Sequence, residues 1–124
     1  MITAVHTLVY ADDPDAARAF FRDVLRWPHL DAHDGWLLFA PGPSELGVHP
    51  TEGTPCHEIS LMCDDLDRTT AELAARGARF EGEVTERGFG RCVDLCIPGA
   101  GTMLLYQPRH PVAYPLGRTD PENP

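Results

Sequence analysis

Two histidines and an adjacent histidine–glutamate pair stand where they would hold a divalent ion. His6 lies mid-way along an alternating stretch in which Ile2, Ala4, His6, Leu8 and Tyr10 share one face and Thr3, Val5, Thr7 and Val9 the other. His49 closes Glu45-Leu46-Gly47-Val48-His49-Pro50, on a face with Glu45 and Gly47. His57 and Glu58 are neighbours, and a strand sends neighbouring side chains to opposite sides. Glu58 travels with Ser60 and Met62, and His57 with the greasier Ile59, Leu61 and Cys63, so Glu58 is expected to face the site, with His57 its substitute. Two imidazoles and a carboxylate hold iron, manganese or zinc while leaving positions open for substrate. Bound there, such an ion would act as a Lewis acid.

Other chemistries lack their residues. All ten basic residues are arginine, which removes Schiff-base lysines and the phosphate-loop lysine. The G-x-S-x-G signature of serine hydrolases is absent. Ten basic against nineteen acidic residues give a net charge of −9, which repels nucleic acid. Four cysteines, Cys56, Cys63, Cys92 and Cys96, form no C-x-x-C and read as reduced, buried thiols. No apolar run reaches the roughly 18 residues of a membrane span, and the N-terminus lacks a signal-peptide pattern, so a cytoplasmic protein is expected. Arg87-Gly88-Phe89-Gly90-Arg91 reads as a glycine-hinged loop that would close over a ligand, with Arg87 and Arg91 gripping an anionic group. Tyr10 and Trp36 are candidate aromatic walls of a binding cup, beside Phe39 and Tyr106.

The elements that must position these residues repeat. Ile2 to Tyr10 reads as a strand; Asp12-Asp13-Pro14-Asp15 then opens a helix to about Leu25, with an N-cap aspartate, proline in the first turn and Ala17, Phe20, Phe21, Val24 and Leu25 on one stripe. Extended segments follow at about Leu30 to His33, Trp36 to Ala40 and Glu45 to His49. The order then restarts with a strand from Cys56 to Cys63 and a helix opened by Asp64-Asp65-Leu66-Asp67 and closed at Gly77. Strands at about Arg79 to Val84, Arg91 to Ile97 and Thr102 to Gln107 complete it. The two aspartate clusters are 52 residues apart, an offset that maps His6 onto Glu58, whereas an offset of 51 maps it onto His57. At 124 residues the chain has room for one domain, here residues 1–107 as paired units of about 1–52 and 55–107. Five prolines in the 17 residues from Pro108 make 108–124 an extended arm or tail.

His6-Thr7-Leu8-Val9-Tyr10-Ala11-Asp12-Asp13-Pro14 with Ala19-Phe20-Phe21-Arg22-Asp23-Val24-Leu25 resembles the opening of the vicinal oxygen chelate superfamily. That superfamily includes glyoxalase I, bleomycin and fosfomycin resistance proteins and extradiol dioxygenases. Residues 45–50, 57–66 and 101–107 fall on its later landmarks. The resemblance implies an α+β fold in which two βαβββ modules form a curved mixed-sheet cup, often in a homodimer. It implies metal ligands at His6, at His57 or Glu58, and near Gly47 or His49. Its usual last ligand, a glutamate, falls in Met103-Leu104-Leu105-Tyr106, where an apolar wall including Leu105 replaces it. Two readings follow: an enzyme that binds vicinal oxygens of its substrate on a divalent metal, and a metal-free protein that binds an antibiotic or other small molecule. A homodimer is expected under either.

Overall fold

The computed structural model describes Met1 and residues 3–117. The part of the expected arm at 118–124 lies outside the described residues. The fold is α+β. Helix α1 spans Pro14–Asp23 and is followed by strands β1, His29–His33, and β2, Trp36–Phe39. Strand β3, Ser60–Met62, helix α2, Leu66–Ala75, and strands β4, Phe80–Arg87, β5, Gly90–Cys96, and β6, Thr102–Pro108, complete the regular structure, with a short 3-10 turn at Tyr114–Gly117.

The repeat is most plainly visible in the helices. Asp13 caps α1 by accepting the Ala16 N–H at 3.1 Å, and Asp65 caps α2 by accepting the Arg68 N–H at 3.0 Å. Cap, first residue and last residue of α2 each lie 52 positions after those of α1. Each aspartate satisfies an N–H that the first helical turn leaves without a partner. Gly77, with φ +94°, ends the second helix in the left-handed conformation, as its sequence position implies.

The second module closes as expected, βαβββ in the order β3-β6-β5-β4. β3 runs parallel to β6, pairing Ser60 with Leu104 and Met62 with Tyr106, while β5 is antiparallel to both β4 and β6. Phe20 and Phe21 of α1, Leu66 and Leu73 of α2, and Val93, Leu95, Met103 and Leu105 of the sheet form one buried core. The helices therefore share the face of the sheet that carries Val93 and Leu95. A turn at Pro98 to Gly101 fixes the start of α1: the Asp13 N–H donates to the Gly99 carbonyl at 3.1 Å.

The first module departs from the expectation. Its hairpin forms, because Asp34 and Gly35 take φ +43° and +86°, the twist a two-residue turn requires, and the Asp31 carboxylate accepts the Gly35 N–H at 3.0 Å. Its outer strands do not. Among the described residues none of 3–10 makes a backbone hydrogen bond, and Glu45 to His49 is likewise without regular structure. Alternation sorts side chains, but a strand exists only where its N–H and C=O groups find another strand. Between β2 and β3 the chain runs through Pro41, Pro43 and Pro50, none of which has an N–H to donate to a ladder. β3 is also shorter than the expected Cys56 to Cys63. In its register residues 56 and 57 fall opposite Ala100 and Gly101, in the turn before β6 begins.

Candidate functional site

A cavity of about 1160 Å³ opens between α1, the β1–β2 hairpin, the end of β3 and the segment after β6. Its aromatic side is assembled around Phe21. Trp27 stacks on that ring with centroids 5.2 Å apart and planes 13° from parallel, and Phe39 meets it edge-on at 5.6 Å. Both geometries suit the ring quadrupole. Trp36 stands further out, 56% exposed, with the Arg18 guanidinium 5.1 Å from its ring centre and Arg18 itself tied to Asp15 at 3.3 Å. Leu61, Met62 and Cys63 supply the opposing wall, and Val112 and Tyr114 close the side nearest the C-terminus. Burial pushes the Cys63 thiol above its ordinary pKa, with hydrogen bonding to Thr69 opposing and the nearby Asp64 reinforcing that rise.

Of the expected site residues, His6, Leu8 and Trp36 line this cavity. His57 and Glu58 line a second, smaller hollow of about 470 Å³ with Arg87, Asp94 and Thr102. Both face it because the strand that would have parted them begins only at Ser60. His49 is exposed, its Nδ1 bonded to the Pro50 carbonyl at 2.7 Å. The proposed metal donors are thus spread over two cavities and an open loop. Among the described residues no three His, Cys, Asp or Glu side chains come near enough to share an ion. The donor set in this arrangement does not fit a metal ion.

Three more of the expected site residues lie away from both cavities. Tyr10 is 90% exposed and lines neither cavity, since the strand that would have aimed it is absent. Leu105 is 3% exposed: its register on β6 turns it under the helices, so the cup wall is made by others. Arg91 lines neither cavity. Its guanidinium donates to Glu86 at 2.8 Å and to Asp67 at 3.2 and 3.3 Å, and those bonds hold it firmly in its charged form. The glycine-flanked loop around it is the tight β4–β5 turn, with Phe89 packed edge-on against Tyr106 at 5.4 Å.

Arg18, Trp27, Val112 and Tyr114 also line the cavity, and none of them is among the site residues expected from sequence. Trp27 carried a usable signal, an aromatic directly after the helix stripe and before Pro28. Val112 and Tyr114 carried none, because only the tertiary fold brings the arm back across the cavity.

Comparison with known proteins agrees with this architecture. A family profile described as Glyoxalase/Bleomycin resistance protein/Dioxygenase superfamily matches residues 3–96. Among solved structures, TnmS3, an antibiotic binding protein from Streptomyces sp. CB03234, is 23% identical with a TM-score of 0.58, the match covering 86% of this chain and 99% of that one. A superfamily member from Sphaerobacter thermophilus is 20% identical with a TM-score of 0.60, covering 86% and 98%. Lactoylglutathione lyase from Agrobacterium tumefaciens is 20% identical with a TM-score of 0.56, covering 86% and 94%. At these identities the likeness is one of fold. The comparison with curated proteins found no match.

Proposed function

Because the chain belongs to the Glyoxalase/Bleomycin resistance protein/Dioxygenase superfamily, whose members bind small molecules, we propose that it binds an aromatic, largely apolar small molecule in the cavity beside α1. One observation carries this reading: Trp27, Trp36, Phe21 and Phe39 surround one large cavity, while the residues expected to hold a metal are scattered. A concave, mostly apolar site with few charged groups takes its affinity from buried area and ring stacking. The antibiotic binding relative shows the fold in such a role, and this chain's net charge of −9 would draw a cationic drug toward it.

A homodimer belongs to the same reading. Leu46 and Val48 are 86% and 92% exposed, and among the described residues 3–10 no backbone hydrogen bond forms. A second copy would cover these side chains and supply the strand edges that the first module lacks.

The chain's two tryptophans both line the cavity, so intrinsic fluorescence reports on its occupancy. Titration with a set of aromatic antibiotics and with the neutral dye N-phenyl-1-naphthylamine is expected to quench or shift that emission saturably. Calorimetric titration with Mn²⁺, Fe²⁺ and Zn²⁺ is expected to give no stoichiometric binding. One ion bound per chain, and lost in His6→Ala, would instead return the protein to the metal-dependent enzymes of its superfamily.

A further inference from the structure

Residues 109–117 leave the four-stranded sheet and cross to the loop after β2, fastened at both ends. At the root the Arg109 backbone N–H donates to the Phe89 carbonyl at 2.8 Å. The Arg109 guanidinium pairs with Glu86, the carboxylate that also accepts from Arg91. His110 adds a second hold. The Pro111 carbonyl can only accept, so His110 Nδ1, 2.7 Å away, carries the proton of the neutral ring, and Nε2 accepts the Tyr106 hydroxyl at 3.0 Å. At the far end one Glu45 oxygen accepts the backbone N–H of Ala113 at 2.9 Å and that of Tyr114 at 3.4 Å, across 68 and 69 residues of chain. Val112, between the fastenings, and Tyr114, at the far one, line the cavity that Trp36 also lines.

We infer that residues 109–117 are a strap whose Val112 and Tyr114 select the ligand, and that Glu45 is the latch holding them against the cavity. This deepens the binding role proposed above and rests on it. A carboxylate accepting two main-chain N–H groups is a charge-assisted tie, and it holds the strap by its backbone whatever the side chains there. With the root tied to the sheet and the latch to the opposite module, a bound molecule is enclosed by both halves of the chain. It leaves only when the latch opens or the ligand is small enough to pass Tyr114.

The test uses the full chain and N-phenyl-1-naphthylamine, comparing wild type with Glu45→Ala, Glu45→Gln and Tyr114→Ala by stopped-flow dye release. Amide hydrogen exchange at Ala113 and Tyr114 is followed in parallel, with circular dichroism to verify folding. Glu45→Ala is expected to speed exchange of both amides and release of the dye roughly tenfold. Glu45→Gln keeps an acceptor oxygen and is expected to stay within about threefold of wild type. Tyr114→Ala is expected to speed release while leaving exchange at Ala113 unchanged. If wild type binds the dye and Glu45→Ala releases it at the wild-type rate, the strap is overturned and the cavity reading stands. If wild type gives no saturable dye signal, the cavity reading fails and ligand selection by the strap fails with it.

Discussion

Gly99 shows how one missing side chain positions a helix. It holds φ +73° at the turn that receives Asp13, and a Cβ there would stand 2.6 Å from both the Asp13 Cβ and its carbonyl oxygen. Gly99→Ala would meet a left-handed backbone and a backbone clash together. It is expected to cost about 2 kcal/mol or more, seen as a fall of several degrees in the thermal midpoint. Trp36 is the corresponding test of the cavity. It is 56% exposed and lines the cavity, so Trp36→Ala is expected to weaken aromatic ligands about tenfold in a fluorescence titration read from Trp27. The thiols differ in a way that pH reveals. Burial raises the pKa of Cys63, so its thiolate is scarce near neutrality, whereas Cys56 is exposed. Alkylation by iodoacetamide at pH 7.5 is expected to label Cys56 first, as peptide mass mapping would read. Tyr106 is likewise raised, first by burial and then by Glu45 and Cys92. For both groups the protonated form is the one the fold favours. Their contribution is therefore present at neutral pH and declines as pH rises, from about 8.5 for Cys63 and about 10 for Tyr106. A pH series of denaturant midpoints is expected to fall across that window, and to fall less above pH 10 in Tyr106→Phe.

Among the elements, the helices were the most legible from sequence. A cap is a local device: Asp13 and Asp65 each act on an N–H three residues away, so the pattern that encodes them is complete within one turn. Asp13→Ala and Asp65→Ala are each expected to lower stability by about 1 kcal/mol in chemical denaturation. Phe21→Ala, which removes the ring on which Trp27 and Phe39 both pack, is expected to cost about 3–5 kcal/mol and to disturb the cavity wall as well. Strands were legible only in part. The hairpin at Asp34 and Gly35 and the three strands of the second module carry their own turns, and they appear where alternation puts them. Residues 3–10 alternate just as clearly, but a strand also needs a partner edge elsewhere in the chain, and no local pattern reports on that. The site was less legible still. Histidines and carboxylates at a repeat offset predict convergence only if both modules close alike, and here one closes and the other does not. Glu45 was noted merely as a neighbour of His49, because its role depends on backbone N–H groups 68 residues away.

For the molecule as a whole, the chain of charges Asp67, Arg91, Glu86 and Arg109 ties α2, β4, β5 and the root of the C-terminal segment into one unit. Such exposed pairs each contribute little to stability, up to about 1 kcal/mol, so their effect is to fix direction rather than to hold the fold. Raising salt to 1 M is accordingly expected to loosen the strap's root, measured as faster exchange at the Arg109 amide, with little change in the global denaturation midpoint. The unpaired first module carries the prediction about assembly. Sedimentation is expected to show a dimer whose population rises with protein concentration, and Val48→Asp to shift it toward monomer.

The strand order has a consequence for synthesis. β6, the last strand among the described residues, is an inner one, seated between β3 and β5, so β3 and the β4–β5 pair stay unjoined until it is made. A nascent chain that has emerged only as far as β5 has two helices and the β1–β2 and β4–β5 ribbons, but no strand to join β3 to the second ribbon. Productive collapse must wait until residue 108 has cleared the ribosomal exit tunnel, and every message cut short before β6 yields a product that quality-control proteases are expected to remove.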